Sequence, residues 1–97
     1  MQAILRILKI KGYGDNKMTT ILAVRNRILQ LCGERDITIN RLANISAVSP
    51  STVKSILYGE SKDPKIITIK KLCDGLDITL GEFFSTPEFD GLEQEIE

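Results

Sequence analysis

The stretch SAVSPSTVKSILYG, residues 46–59, decides how the chain is read. Ser49 followed by Pro50 is a helix start. A serine hydroxyl accepts an N–H of the first turn, and proline suits the first helical position because its missing N–H would have no partner there. Gly59 supplies the helix end. Between them Val53, Ile56 and Leu57 recur at helical spacing and form a face to be buried. The other side carries Ser51, Thr52, Lys54, Ser55 and Tyr58, polar and mostly small. A helix needed only for packing gains nothing from such a face.

The flanking sequence continues the helical pattern. Leu22, Val24, Ile28, Leu31 and Cys32 recur at about 3.6-residue spacing until Gly33–Asp36 weakens it. Thr38, a good N-cap, opens a second apolar set of Ile39, Leu42, Ala43 and Ile45. After the loop ESKDP (60–64), Ile69, Leu72, Cys73 and Leu76 mark a fourth helix. TLGE (79–82) is a capping-box pattern that opens a short fifth helix through Phe83 and Phe84. No segment alternates as a strand does. The expected fold is therefore all-α with five helices. Residues 18–86 form the domain, and Pro87 with EFDGLEQEIE (87–97) forms a frayed acidic tail. Residues 1–17 read as a peripheral N-terminal extension, or as residues ahead of an alternative start at Met18. Their AILRILKI suits a short helix or a strand.

The formal net charge of zero hides an asymmetry. All 13 Lys and Arg lie in residues 1–72 against five acids, a net +8, whereas residues 73–97 hold eight acids and no base. A basic body of this kind points to a polyanionic partner. The chain has no His, which excludes Ser-His and Cys-His nucleophile pairs. It also lacks a phosphate-binding loop of the G-x-x-x-x-G-K-[ST] type and an H-E-x-x-H pair. No enzyme activity, cofactor or small-molecule ligand is expected. Cys32 and Cys73 have no neighbouring Cys or His, so core packing is expected of them and not a metal site. No apolar run approaches the ~20 residues of a membrane span, and nothing resembles a signal peptide, so the protein is expected in the cytosol.

Two short helices joined by a turn of about three residues have helix-turn-helix spacing. LANISAVSPSTVKSILYG (42–59) followed by TIKKLCDGLDITLGEFF (68–84) resembles the lambda-repressor-like, Cro-type (XRE) family of DNA-binding regulators. The resemblance covers roughly residues 21–85, and it leaves little of the chain for a sensor domain. It implies that residues 50–58 are a recognition helix entering the DNA major groove. Ser49, Ser51, Thr52, Lys54 and Ser55 are then the base-contact candidates, with Ser49 also capping and Lys54 suited to a guanine or a phosphate. Lys62 and Lys65 match positions that grip the phosphate backbone; Thr38 and Asn40 are weaker candidates. Tyr58 can bond a phosphate or cover the core.

The sequence departs from the family pattern at several places. Ala47 stands where a glycine is typical, and a left-handed backbone there costs a non-glycine residue about 1–2 kcal/mol. Ile39 stands where many members have a phosphate-binding Gln. Cys32 and Leu57 occupy the positions of a buried Arg–Glu pair; replacing both partners is tolerated where losing one is not. At the C-terminal end Leu80, Phe83 and Phe84 are bulky and adjacent. A short helix cannot turn both Phe side chains into one core, so one is expected at the surface. It would either meet a second subunit in a homodimer or pack beneath the tail or the N-terminal segment.

The function expected from all this is a transcriptional regulator that binds specific sequences of double-stranded DNA. The alternative is a protein-interaction module of the same fold, such as an antitoxin-like subunit or an anti-regulator.

Overall fold

The computed structural model describes residues 18–96; the extension read at 1–17 lies outside the described residues. All regular structure among the described residues is helical: α1 (Thr20–Arg35), α2 (Ile39–Ser46), α3 (Pro50–Leu57), α4 (Ile66–Gly75), α5 (Leu80–Phe84) and α6 (Pro87–Asp90). The first five are the expected ones. The sixth corrects the expectation of a frayed tail. Thr86 caps it by accepting the Phe89 N–H, Pro87 stands at its first turn, and Phe89 packs on Phe83 and Phe84 with ring centroids 6.1 and 5.0 Å away. No described helix is long and apolar enough to cross a membrane.

Helices α1 to α5 all contribute to one core, in which Ile28, Leu42, Val53, Ile56, Leu72, Cys73 and Phe83 are fully buried. The inward stripe of α1 is Ala23, Val24, Ile28, Leu31 and Cys32. Leu22 falls one step outside it and is exposed, contrary to the apolar set expected from spacing. In α2 the stripe runs Leu42, Ala43, Ser46, so the small polar Ser46 is buried and the apolar Ile45 is exposed. Cys32 and Leu57 both lie in the buried cluster, so the apolar replacement leaves no stranded charge. Burial raises the pKa of both cysteine thiols, against a lowering by Arg35 at Cys32, and keeps them protonated and inert.

One connector occurs three times. Asp36, Ala47 and Asp77 all take left-handed backbone, with φ of 54°, 55° and 58°. In each case the next residue donates its N–H five residues back: Ile37 to Cys32 O, Val48 to Ala43 O, Ile78 to Cys73 O. This is the Schellman closure of α1, α2 and α4, which satisfies carbonyls the helix leaves unpaired. Ile37, Val48 and Ile78 pack on the core, and the hydroxyl residues after them, Thr38, Ser49 and Thr79, cap α2, α3 and α5. Asp-Ile-Thr, Ala-Val-Ser and Asp-Ile-Thr thus each end one helix, plug the core and start the next helix.

Helices α2 and α4 meet at a glycine. A Cβ added to Gly75 would stand 2.1 Å from Ser46 Oγ and 3.1 Å from Ser46 Cα, so the contact requires Gly75 to have no side chain. Ser46 Oγ is itself buried without a hydrogen-bond partner.

Of the places expected for the outer phenylalanine, this packing selects the one beneath the tail. Phe83 is fully buried and cannot meet another subunit. Phe84 is half-buried and stacks edge-on against Phe83 and Phe89, so the tail covers it. Of the three proposed dimer residues, Leu80 is half-buried at the edge of the core.

Two consequences are measurable by thermal or denaturant unfolding. Ala47→Gly relieves the left-handed strain and should stabilise the domain by about 1 kcal/mol, a rise in Tm of about 4–8 °C for a domain this small. Gly75→Ala should destabilise it by about 1–3 kcal/mol through overpacking against Ser46. Adding Ser46→Ala removes the nearest clashing atom and should restore part of that stability.

Candidate nucleic-acid interface

Helix α3 has only eight residues, and both of its ends are tied down. At the start, Ser49 Oγ accepts the Thr52 N–H at 3.2 Å, as its capping role requires. The same oxygen lies 2.8 Å from Thr52 Oγ1 and 3.2 Å from Ser51 Oγ, so three hydroxyls form one hydrogen-bonded cluster at the helix N-terminus. At the far end Tyr58 donates its N–H to Lys54 O, and the chain turns through Gly59 with φ 102°. The helix itself stops at Leu57, with Tyr58 as its cap residue, and Gly59 serves the turn that follows. Ser61 N–H then folds back onto Ser55 O at 2.9 Å.

Val53, Ile56 and Leu57 face the core, whereas Ser51, Thr52 and Lys54 are exposed and Ser55 is half-buried. Tyr58 is 70% exposed. It does not cover the core. These five outer side chains form one wall of an open groove, and Pro64, Lys65 and Thr68 form the other. Glu60 and Asp63 lie in the same groove, so its charge is mixed. Lys65 stands at the N-cap position of α4 and makes no side-chain cap bond. Lys62 is exposed in the same loop and lines a neighbouring groove with Thr19 and Thr20. Ser51, Thr52, Lys54, Ser55, Tyr58 and Lys65 are therefore brought together, with Lys62 at the flank.

The start of α2 stands apart from that groove. Thr38 Oγ1 is engaged in capping, accepting the Arg41 N–H at 3.0 Å, and Asn40 lies two residues beyond it on the first turn. Lys70, one of the 13 cations of the basic body, forms an i,i+4 ion pair with Asp74.

Sequence reasoning missed the residue that holds α3 in place and a second that does the same for α5. Arg25 Nε donates to Ile56 O at 2.6 Å, and its terminal nitrogen lies 3.5 Å from Ser61 O. One guanidinium thereby grips the last turn of α3 and the loop after it. Two residues along α1, Arg27 donates to Phe83 O and Glu82 O, both at 2.8 Å, and so closes the end of α5. Its guanidinium carbon also lies 6.0 Å from the Phe83 ring centroid. Both arginines enter the charge count as attraction for a polyanion, but the structure uses them as helix clamps. The available signal was their place on α1 next to buried positions; their carbonyl partners lie 31 and 56 residues away.

Comparisons with known proteins bear on the family and the fold. A family model described as Cro/C1-type HTH DNA-binding domain matches residues 27–88. Among solved structures, the chain is similar to "Crystal structure of the prophage Lp1 protein 11", at 35% sequence identity and a TM-score of 0.67. That likeness covers 75% of this chain and 97% of the other. Among the curated proteins none matches. With the paired helices α2 and α3, their left-handed turn and the family match over most of the domain, the chain belongs to the Cro/C1-type helix-turn-helix DNA-binding domain family.

Proposed function

We propose that the protein is a transcriptional regulator that reads specific DNA sequences in the major groove with α3. The observation that carries this reading is the outer face of α3: small hydroxyl side chains and one lysine on a helix clamped at both ends. A B-DNA major groove about 12 Å wide admits a helix whose N-terminal residues reach base edges, provided that the face is slim and able to pair. Ser51, Thr52 and Ser55 meet both conditions, and Lys54 adds a donor for guanine or phosphate. Ser49 is committed to the cap and the hydroxyl cluster, whose three contacts use its one donor and both lone pairs, so a base contact from Ser49 requires one of them to be exchanged.

The flanking groups suit the backbone. Phosphate contacts supply much of DNA affinity and fix register, and base contacts supply the sequence information. Lys62 and Lys65 stand in the loop beside α3, and the exposed Tyr58 lies on the same side. The first turn of α4, left without a side-chain cap behind Lys65, adds backbone N–H groups suited to an anion. Thr38 and Asn40 extend the backbone contacts at the start of α2. Two copies arranged by a two-fold axis through the Leu80 end of the domain would read half-sites about 34–36 Å apart.

Binding measurements on variants separate these roles. Ser51→Ala or Ser55→Ala should change which duplexes are preferred, at about 1–3 kcal/mol for each base-reading hydrogen bond removed. Lys62→Ala or Lys65→Ala should weaken binding to all duplexes alike and flatten the slope of log K against log salt by about one unit. If all four variants bind a preferred duplex as the parent does, α3 is not the reading element. Sedimentation with and without DNA checks the pairing of two copies, and a monomer under both conditions at high concentration counts against it.

A further inference from the structure

The acidic end of the chain is anchored to the domain. Phe89 packs on Phe83 and Phe84, and beyond α6 the chain returns to the start of α1, where the Thr20 hydroxyl donates to Glu95 Oε2 at 2.6 Å. Helix α1 has no acidic residue in its own first turn. Glu95 supplies a carboxylate at that positive helix end, where negative charge is stabilised. The groove that holds Glu95 is shared with Lys62 and Asp63 of the loop after α3. Lys62 is one of the cations assigned above to the DNA backbone. A tail carboxylate is thus tethered on the flank of the nucleic-acid face.

We infer that Glu95 is a built-in competitor of DNA phosphate, a tethered negative charge in the groove that Lys62 also lines, which weakens backbone binding along this edge. The inference rests on the DNA-binding reading given above. Its effect is independent of sequence, because phosphates carry no base information. Non-specific binding is almost wholly electrostatic, so it feels such a charge most directly. Base contacts at α3 remain as they are, and affinity depends more heavily on them.

The test compares the full chain with Glu95→Gln and Glu88→Gln on a random-sequence duplex across a salt series. Both substitutions change the net charge equally. Glu88, however, lines a different groove with Asn26, Arg27 and Gln30. Gln at position 95 keeps an oxygen for the Thr20 hydroxyl, and thermal melting checks that each variant is folded. Glu95→Gln should bind about threefold to tenfold more tightly at low salt and steepen the salt slope by up to about one unit. Glu88→Gln should stay within about twofold of the parent. A folded Glu95→Gln that binds no more tightly than the parent overturns the inference, as does a Glu88→Gln that tightens binding equally. If none of the three chains binds any duplex, the DNA-binding reading fails and this inference with it; a parent that binds, with Glu95→Gln unchanged, removes the inference alone.

Discussion

The left-handed residue at the end of α2 is the constraint on which the rest of the molecule depends. With φ at 55°, Ala47 ends α2 in a single left-handed step, and Val48 then donates its N–H back to Ala43 O. The carbonyls at the end of α2 are satisfied, an apolar side chain is delivered to the core, and Ser49 stands ready to cap α3. The same device, built on Asp36 and Asp77, closes α1 and α4. Three consecutive residues therefore set the angle at three of the helix junctions. Aspartate tolerates the left-handed region through local hydrogen bonding, as alanine does not, so the strain is concentrated in the helix-turn-helix itself.

A helix of two turns has little stability of its own, because nucleation is costly and few bonds follow it. Helix α3 is held instead by what surrounds it: Val53, Ile56 and Leu57 in the core, the Ser49 cap at one end, and the Arg25 guanidinium on Ile56 O at the other. Arg27 does the same for the still shorter α5. Backbone carbonyls at helix ends need donors, and a guanidinium with several N–H groups in one plane serves two at once. Fixing α3 in this way leaves its outer side chains free of structural duty, apart from the capping cluster at Ser49.

Much of this was legible in the sequence because it depends on neighbours along the chain. The helix starts at Thr38, Ser49 and Thr79, the buried face of α3 and the order of the first five helices all follow from local spacing and capping chemistry. The unread part depends on contacts distant in sequence. Charge counting placed Arg25, Arg27 and Lys70 with the DNA-attracting groups, although their partners are two backbone segments and an aspartate. Periodicity chose Leu22 and Ile45 over Ala23 and Ser46, since it weighs apolarity and not the close approach of helices that favours small residues. The adjacency of Phe83 and Phe84 left open whether the outer ring meets a second subunit or packs beneath the tail, and the fold shows Phe89 of the tail against Phe84. The tail looked frayed because its charges outnumber its apolar groups, yet a threonine cap, a proline and one phenylalanine suffice to hold it.

The interface that results has an ordered division of labour. Slim hydroxyl side chains occupy the presented helix, Lys65 and the acids Glu60 and Asp63 share its groove, and Lys62 and the tethered tail line the groove beside it. On the proposed reading, discrimination comes from the α3 face, since the surrounding charge is balanced and not uniformly attractive. Selection of bound sequences from a pool of random duplexes, followed by sequencing, tests that origin of discrimination most directly. Rapid enrichment of one short shared motif is the expected result. A pool that the protein retains but that stays random through successive rounds would contradict it.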